Sequence, residues 1–200
     1  MNLRIMKRFA LAAAAALTLA ASSGAGAPAG PLRVEGDSTL HKWTTVATAV
    51  ATTFQFADGA PASLSEAIKA SKLKGMEARI SVAALKSGES GLDKNLRKAM
   101  NEEKYPDVVY RLEQYTLSKD AGDGVVTAKT SGQLTIAGQT KPVTIDVELR
   151  LGPDGVSVKG SYALKMSDYG IKPPTLMLGT IKVRDPVTIR FDLPLTSKEK

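Results

Sequence analysis

Thr130 to Leu151 read TSGQLTIAGQTKPVTIDVELRL, and the alternation within this stretch decides the fold class. Leu134 and Ile136 point one way, with Gln133 and Thr135 opposite. After a short turn, Val143, Ile145, Val147, Leu149 and Leu151 share one face, and Thr144, Asp146, Glu148 and Arg150 share the other. Successive strand side chains point to opposite faces, so a sustained period of two marks a half-buried strand. Gly138 lies in the connection, where a positive φ costs it little. Pro142 stands at the start of the second run, where a missing N–H is tolerated. The stretch is therefore an antiparallel hairpin with one apolar and one wet face.

The same pattern recurs on either side. Leu32–Glu35 is a short first strand. Leu40 to Phe56 would reach about 55 Å as a single strand, so a bend or bulge is expected near residues 47–49. One extra residue there brings Trp43 onto the face of Val50 and Phe54. Met76, Ala78, Ile80 and Val82 alternate with polar residues, as do Val108, Tyr110 and Leu112. Val156, Val158, Tyr162, Leu164 and Met166 share a face with Gly160 between them, and Val187 to Leu195 forms the last strand. One helix is predicted over about Leu92–Glu102, from Leu92, Leu96, Ala99 and Met100 at helical spacing. Ser90 and Asp93 have the spacing of a capping box, and Pro106 requires the helix to end before Tyr105. Residues 64–70 read as a helical turn or a loop. About eight strands and one helix, with turns at regular intervals, predict an all-β antiparallel sandwich or barrel.

The 200 residues include an N-terminal stretch outside this pattern. Arg4, Lys7 and Arg8 precede a mostly apolar run from Phe9 to Ala21, and Ala25-Gly26-Ala27 suits cleavage. These are the parts of a secretory signal peptide over 1–27, followed by a Gly/Ala/Pro tether over 28–31 and a domain over 32–197. The apolar run is too short to cross about 30 Å of hydrocarbon as a helix. The net charge of the whole chain is +7. Without the leader it falls to +4, 24 basic residues against 20 acidic ones. No Lys/Arg cluster is interleaved with aromatics, so no nucleic-acid surface is expected. Export without any cysteine points to a bacterial-type envelope, periplasmic or secreted.

The chemistry-bearing residues are few. One His and no Cys leave a zinc site without ligands, and no calcium-loop or G-x-S-x-G pattern occurs. Neither a metal, a cofactor nor a catalytic residue is expected. Ser71-Lys72-Leu73-Lys74 matches S-x-x-K but lacks its companion motifs. His41 and Trp43 form the most distinctive pair, either at the rim of a cavity or as a strand-start histidine beside a core tryptophan. The Leu92–Met100 stripe reads as core packing, as a lid over a barrel end, or as both. The apolar, proline-rich Tyr169–Leu178 loop reads as a membrane contact or as a cover folded onto the barrel.

Four segments in order carry a resemblance. They are Ser38-Thr39-Leu40-His41-Lys42-Trp43; Leu92-Asp93-Lys94-Asn95-Leu96-Arg97 with Lys104-Tyr105-Pro106; Gly132 to Val143; and Ser167-Asp168-Tyr169-Gly170-Ile171. Together they resemble the YceI-like family of exported polyisoprenoid-binding proteins over about Leu32 to Leu195. The resemblance implies a lipocalin-like antiparallel barrel and an apolar lipid or isoprenoid ligand held in its interior. About eight strands enclose enough space for side chains or one slim ligand. Parity then nominates Trp43, Val50, Phe54, Tyr110, Leu112, Ile136, Ile145, Val147, Tyr162 and Phe191 as the lining, with His41 beside them at the rim. The competing expectations are an envelope structural or interaction protein with a filled core, and an enzyme resting on His41.

Overall fold

The computed structural model describes residues 31–57, 63–118, 124–152, 155–176 and 180–195. The leader expected over 1–27 lies outside the described residues. The chain opens with β1 (Leu32–Ser38), β2 (Lys42–Ala47) and β3 (Ala51–Phe56), followed by the short helix α1 (Leu64–Lys69). Next come β4 (Leu73–Ser81), the two-residue β5 (Leu85–Lys86) and the main helix α2 (Ser90–Ala99). The remainder is β6 (Asp107–Leu117), β7 (Val125–Ile136), β8 (Gln139–Gly152), β9 (Gly155–Lys165), the short β10 (Thr175–Leu176) and β11 (Ile181–Leu195).

Every pairing is antiparallel. The strand order is β3-β4-β6-β7-β8-β9-β11-β1-β2-β5, with β10 on β11. The sheet curls into a half-barrel whose concave face is the core. β2 and β3 are consecutive in sequence yet sit toward opposite edges, so residues 48–50 carry the chain across the seam. This is the bend expected near 47–49. It makes two strands of the one read from sequence, and with β5 and β10 it accounts for the excess over eight. Thr48 N–H donates to Ala84 O at 3.1 Å and holds the corner.

The opening hairpin forms in the expected register, from Ile136↔Gln139 to Val125↔Arg150. Its turn places Ala137 at φ 47° and Gly138 at φ 78°. Two consecutive positive φ values define the type I′ turn that matches strand twist. Val143, Val147, Leu149 and Leu151 are buried on the inner face, as their parity requires. Gly132, opposite Val143, lies where β6 and β7 shift register between Leu112 and Gln114. A Cβ there would stand 2.1 Å from Arg111 O, so only glycine admits this approach.

The helix ends differ from expectation. Helix α2 begins at Ser90, its N-cap is Glu89, and no side chain caps it. Asp93 instead reaches back into the preceding loop, accepting from Ser87 Oγ at 2.6 Å and Ser87 N–H at 2.8 Å. A buried carboxylate does better with two donors from one loop residue than with the single donor of a capping box. Helix α1 does carry a cap, Ser63 Oγ accepting from Glu66 N–H at 3.2 Å.

Candidate functional site

The inner faces of the strands do not meet. They enclose a cavity of about 270 Å³, closed on one side by α2. Among the described residues no Asp, Glu, Lys, Arg or His lines it; the polar side chains along it are Thr, Asn and Tyr and one Trp. Of the residues nominated from sequence, Trp43, Val50, Tyr110, Leu112, Ile136, Ile145, Val147, Tyr162 and Phe191 line the cavity. Phe54 shares the inner parity of β3 but stacks on Phe56, with ring centroids 6.3 Å apart, and does not reach the cavity. His41 is exposed, its Nδ1 2.9 Å from Lys42 O, and makes no ion pair among the described residues.

Two of the lining aromatics lie on glycines of the neighbouring strand. Trp43 of β2 pairs with Gly36 of β1, and a Cβ at Gly36 would be 2.1 Å from the indole Cζ2. Phe191 of β11 pairs with Gly160 of β9, where a Cβ would be 2.6 Å from Cζ. Each ring therefore rests against glycine backbone. A side chain at either glycine would push the ring away from the wall. The sequence offered a signal for this: Gly160 occupies an inward position among large residues.

Helix α2 contributes Leu92, Leu96 and Ala99, and its C-cap Met100 joins them, so the stripe is core packing and cover together. The turn after β9 contributes Tyr169, Ile171 and Pro174. Tyr169 is 2% exposed and Ile171 is buried, so this part of the loop folds inward. Residues 177–179 lie outside the described residues. Two hydrogen bonds and a left-handed glycine hold the turn. Asp185 accepts from Ser167 Oγ (2.6 Å) and N–H (2.8 Å), and Gly170 ends the short 3₁₀ turn at φ 69°.

These groups titrate as their surroundings require. Burial pushes the Tyr169 phenol up to about 12, with Tyr162 and Asp168 adding to it. Burial also raises Tyr110, the Thr130 hydroxyl working against it. Tyr115 Oη donates to Ile68 O at 3.1 Å. At neutral pH the lining therefore holds neutral phenols, indole, amide and hydroxyl groups among hydrocarbon. Such a surface offers dispersion and desolvation to an apolar guest.

Two of the four sequence segments touch in this architecture. Tyr105 packs on the hairpin tip, where a Cβ at Gly138 would be 2.4 Å from its Cε1. The K-Y-P segment and the Gly132–Val143 hairpin thus share one contact. Among the described residues there is no cluster of three or more metal-ligating His, Cys, Asp or Glu, and no helix long and apolar enough to cross a membrane.

The family description "YceI-like domain" matches residues 32–195. No curated protein is similar enough to match. Among solved structures, Burkholderia cenocepacia BcnA is 18% identical with a TM-score of 0.60, covering 82% of this chain and 96% of its own. A polyisoprenoid binding domain from Saccharophagus degradans is 12% identical with a TM-score of 0.61, covering 84% and 93%. The Campylobacter jejuni YCEI protein is 21% identical with a TM-score of 0.55, covering 78% and 85%. At these identities the likeness is one of fold.

Proposed function

The chain belongs to the YceI-like domain family, and from that premise we propose that it is an exported carrier holding a long apolar, polyisoprenoid-like chain in its half-barrel, without catalysis. The observation that supports this most is the cavity itself. It measures about 270 Å³, it is lined without charge, and aromatic–glycine pairs keep its walls back. An unfilled space of this size forfeits dispersion on every lining atom. A polymethylene or isoprenoid tail restores those contacts and gains about 0.8 kcal/mol per buried CH₂. The Saccharophagus degradans neighbour, by its description a polyisoprenoid binding domain, lends the ligand class.

His41 has no part in this reading beyond the surface, because its ring stands clear of the lining. The nine nominated residues that border the cavity are the proposed ligand contacts, joined by Leu92 and Leu96 of α2 and by its C-cap Met100. Export rests on the N-terminal charge and apolar pattern of residues 1–27. The test is an organic extract of the purified protein read by mass spectrometry. Co-purifying prenyl or other long-chain species at near one per protein are expected. An empty extract, together with no uptake of added long-chain prenols, overturns the carrier reading.

A further inference from the structure

We propose that the hairpin tip Thr39–Lys42 docks the protein on an anionic lipid bilayer, setting the cavity wall against the membrane. The purpose of docking rests on the carrier reading, whereas the docking itself rests on the tip. Leu40 is 65% exposed and is the large apolar side chain left in the open among the described residues. A lone exposed leucine is ordinary on a surface. Three features of its setting make this one different.

The turn that presents it is rigidly bonded. Ser38 Oγ accepts from the N–H groups of Leu40 (3.2 Å) and His41 (3.1 Å) and donates to His41 O (2.8 Å). Thr39 N–H donates to Lys182 O at 2.9 Å, and Thr39 Oγ1 accepts from Lys182 N–H at 3.1 Å and donates to Thr180 O at 3.3 Å. Inserting Leu40 into a bilayer would therefore order little further backbone. Cations also surround Leu40: Lys42 closes the tip, and Lys182 and Arg184 stand beside it on β11, all exposed. The acid in this row, Asp37, lies 3.6 Å from Arg184. Lys42 and Lys182 have no ion-pair partner among the described residues.

The third feature is position. Trp43 and Val183, which line the cavity, pair with Gly36 and Ser38 directly below the turn. Pro174, also lining, accepts from Val183 N–H at 3.0 Å. A rigid leucine ringed by lysine and arginine suits an interface where hydrocarbon lies just beneath phosphate. A chain leaving that bilayer would meet Trp43, Pro174 and Val183 first.

The test is co-sedimentation of the protein as recovered from expressing cells, with the same N-terminus in every variant, checked by mass. Vesicles of phosphatidylcholine alone are compared with mixed phosphatidylcholine–phosphatidylglycerol vesicles. Binding is expected on the anionic vesicles only. Leu40→Asp and the double variant Lys42→Glu/Lys182→Glu should each weaken it about tenfold or more, with melting temperature and co-purifying lipid unchanged. No binding by the parent protein, equal binding to both vesicles, or binding that survives both variants overturns the proposal. An empty organic extract beside intact vesicle binding would sink the carrier reading alone. A loaded protein that ignores anionic vesicles would sink the docking alone.

Discussion

A methyl group at residue 160 would stand 2.6 Å from Phe191 Cζ and 3.2 Å from Val147 Cγ1. Neither neighbour can retreat outward, because both belong to the barrel wall. Gly160→Ala should therefore push the Phe191 ring into the lumen and cost about 1–3 kcal/mol of stability by overpacking. The expected result is a lower melting temperature and less co-purifying lipid. Gly36→Ala acts on Trp43 in the same way, and Trp43 is the sole tryptophan of the chain. Its emission should shift blue in Gly36→Ala as the indole is displaced into the apolar lumen, and should respond in the parent protein to added prenol. A second residue-scale expectation concerns Ala137, a non-glycine at φ 47° in a turn that favours Asn-Gly. Ala137→Asn should stabilise by about 0.5–1 kcal/mol in a urea titration, from relief of left-handed strain.

At the scale of the element, α2 is held by the bonds its Asp93 makes with Ser87. The carboxyl is pushed up by partial burial. The two bonds from Ser87, with Lys86 and Arg97, outweigh this and hold it below its ordinary value. Asp93→Ala removes the acceptor from both donors and should cost about 1–3 kcal/mol. The apolar stripe of the helix depends on this anchor to stay over the cavity. Exchange of a bound chain should accordingly quicken, measured by transfer of a fluorescent prenol analogue between protein and vesicles. An unchanged exchange rate in a folded Asp93→Ala protein would show that α2 is not held through this contact. The turn after β9 has a corresponding anchor in Asp185, whose carboxyl is held low by the Ser167 hydroxyl and N–H.

For the molecule as a whole, these shifts predict instability at both ends of the pH scale. Asp93 and Asp185 are depressed when folded, so the stability they confer is present above the unfolded carboxylate value of about 3.9. It is lost as pH falls through their lower folded values. Tyr169 is raised to about 12. Its contribution is intact below the unfolded tyrosine value of about 10 and disappears as pH climbs through the folded one. Circular dichroism should show a plateau between these limits, and Tyr169→Phe should move the alkaline transition upward. On the carrier reading, added long-chain prenol should raise the melting temperature in a concentration-dependent way, as any ligand of the folded state alone does.

Periodicity was enough to reveal the strands, because a half-buried strand must alternate. Parity puts Tyr110, Ile145, Tyr162 and Phe191 on the inner face, and the break expected near 47–49 adds Trp43 to them. Parity gives a face and not a position along the strand: Phe54, inward by parity, stacks on Phe56 and is not among the residues lining the cavity. Nor does it anticipate a helix cap lost to a better acceptor geometry, as at Asp93 and Ser87. Local order along the chain determined which faces were apolar and where the turns fell. The hollow between those faces was decided only when strands distant in sequence came together, since whether opposed side chains touch depends on curvature and on which glycines lie opposite which rings.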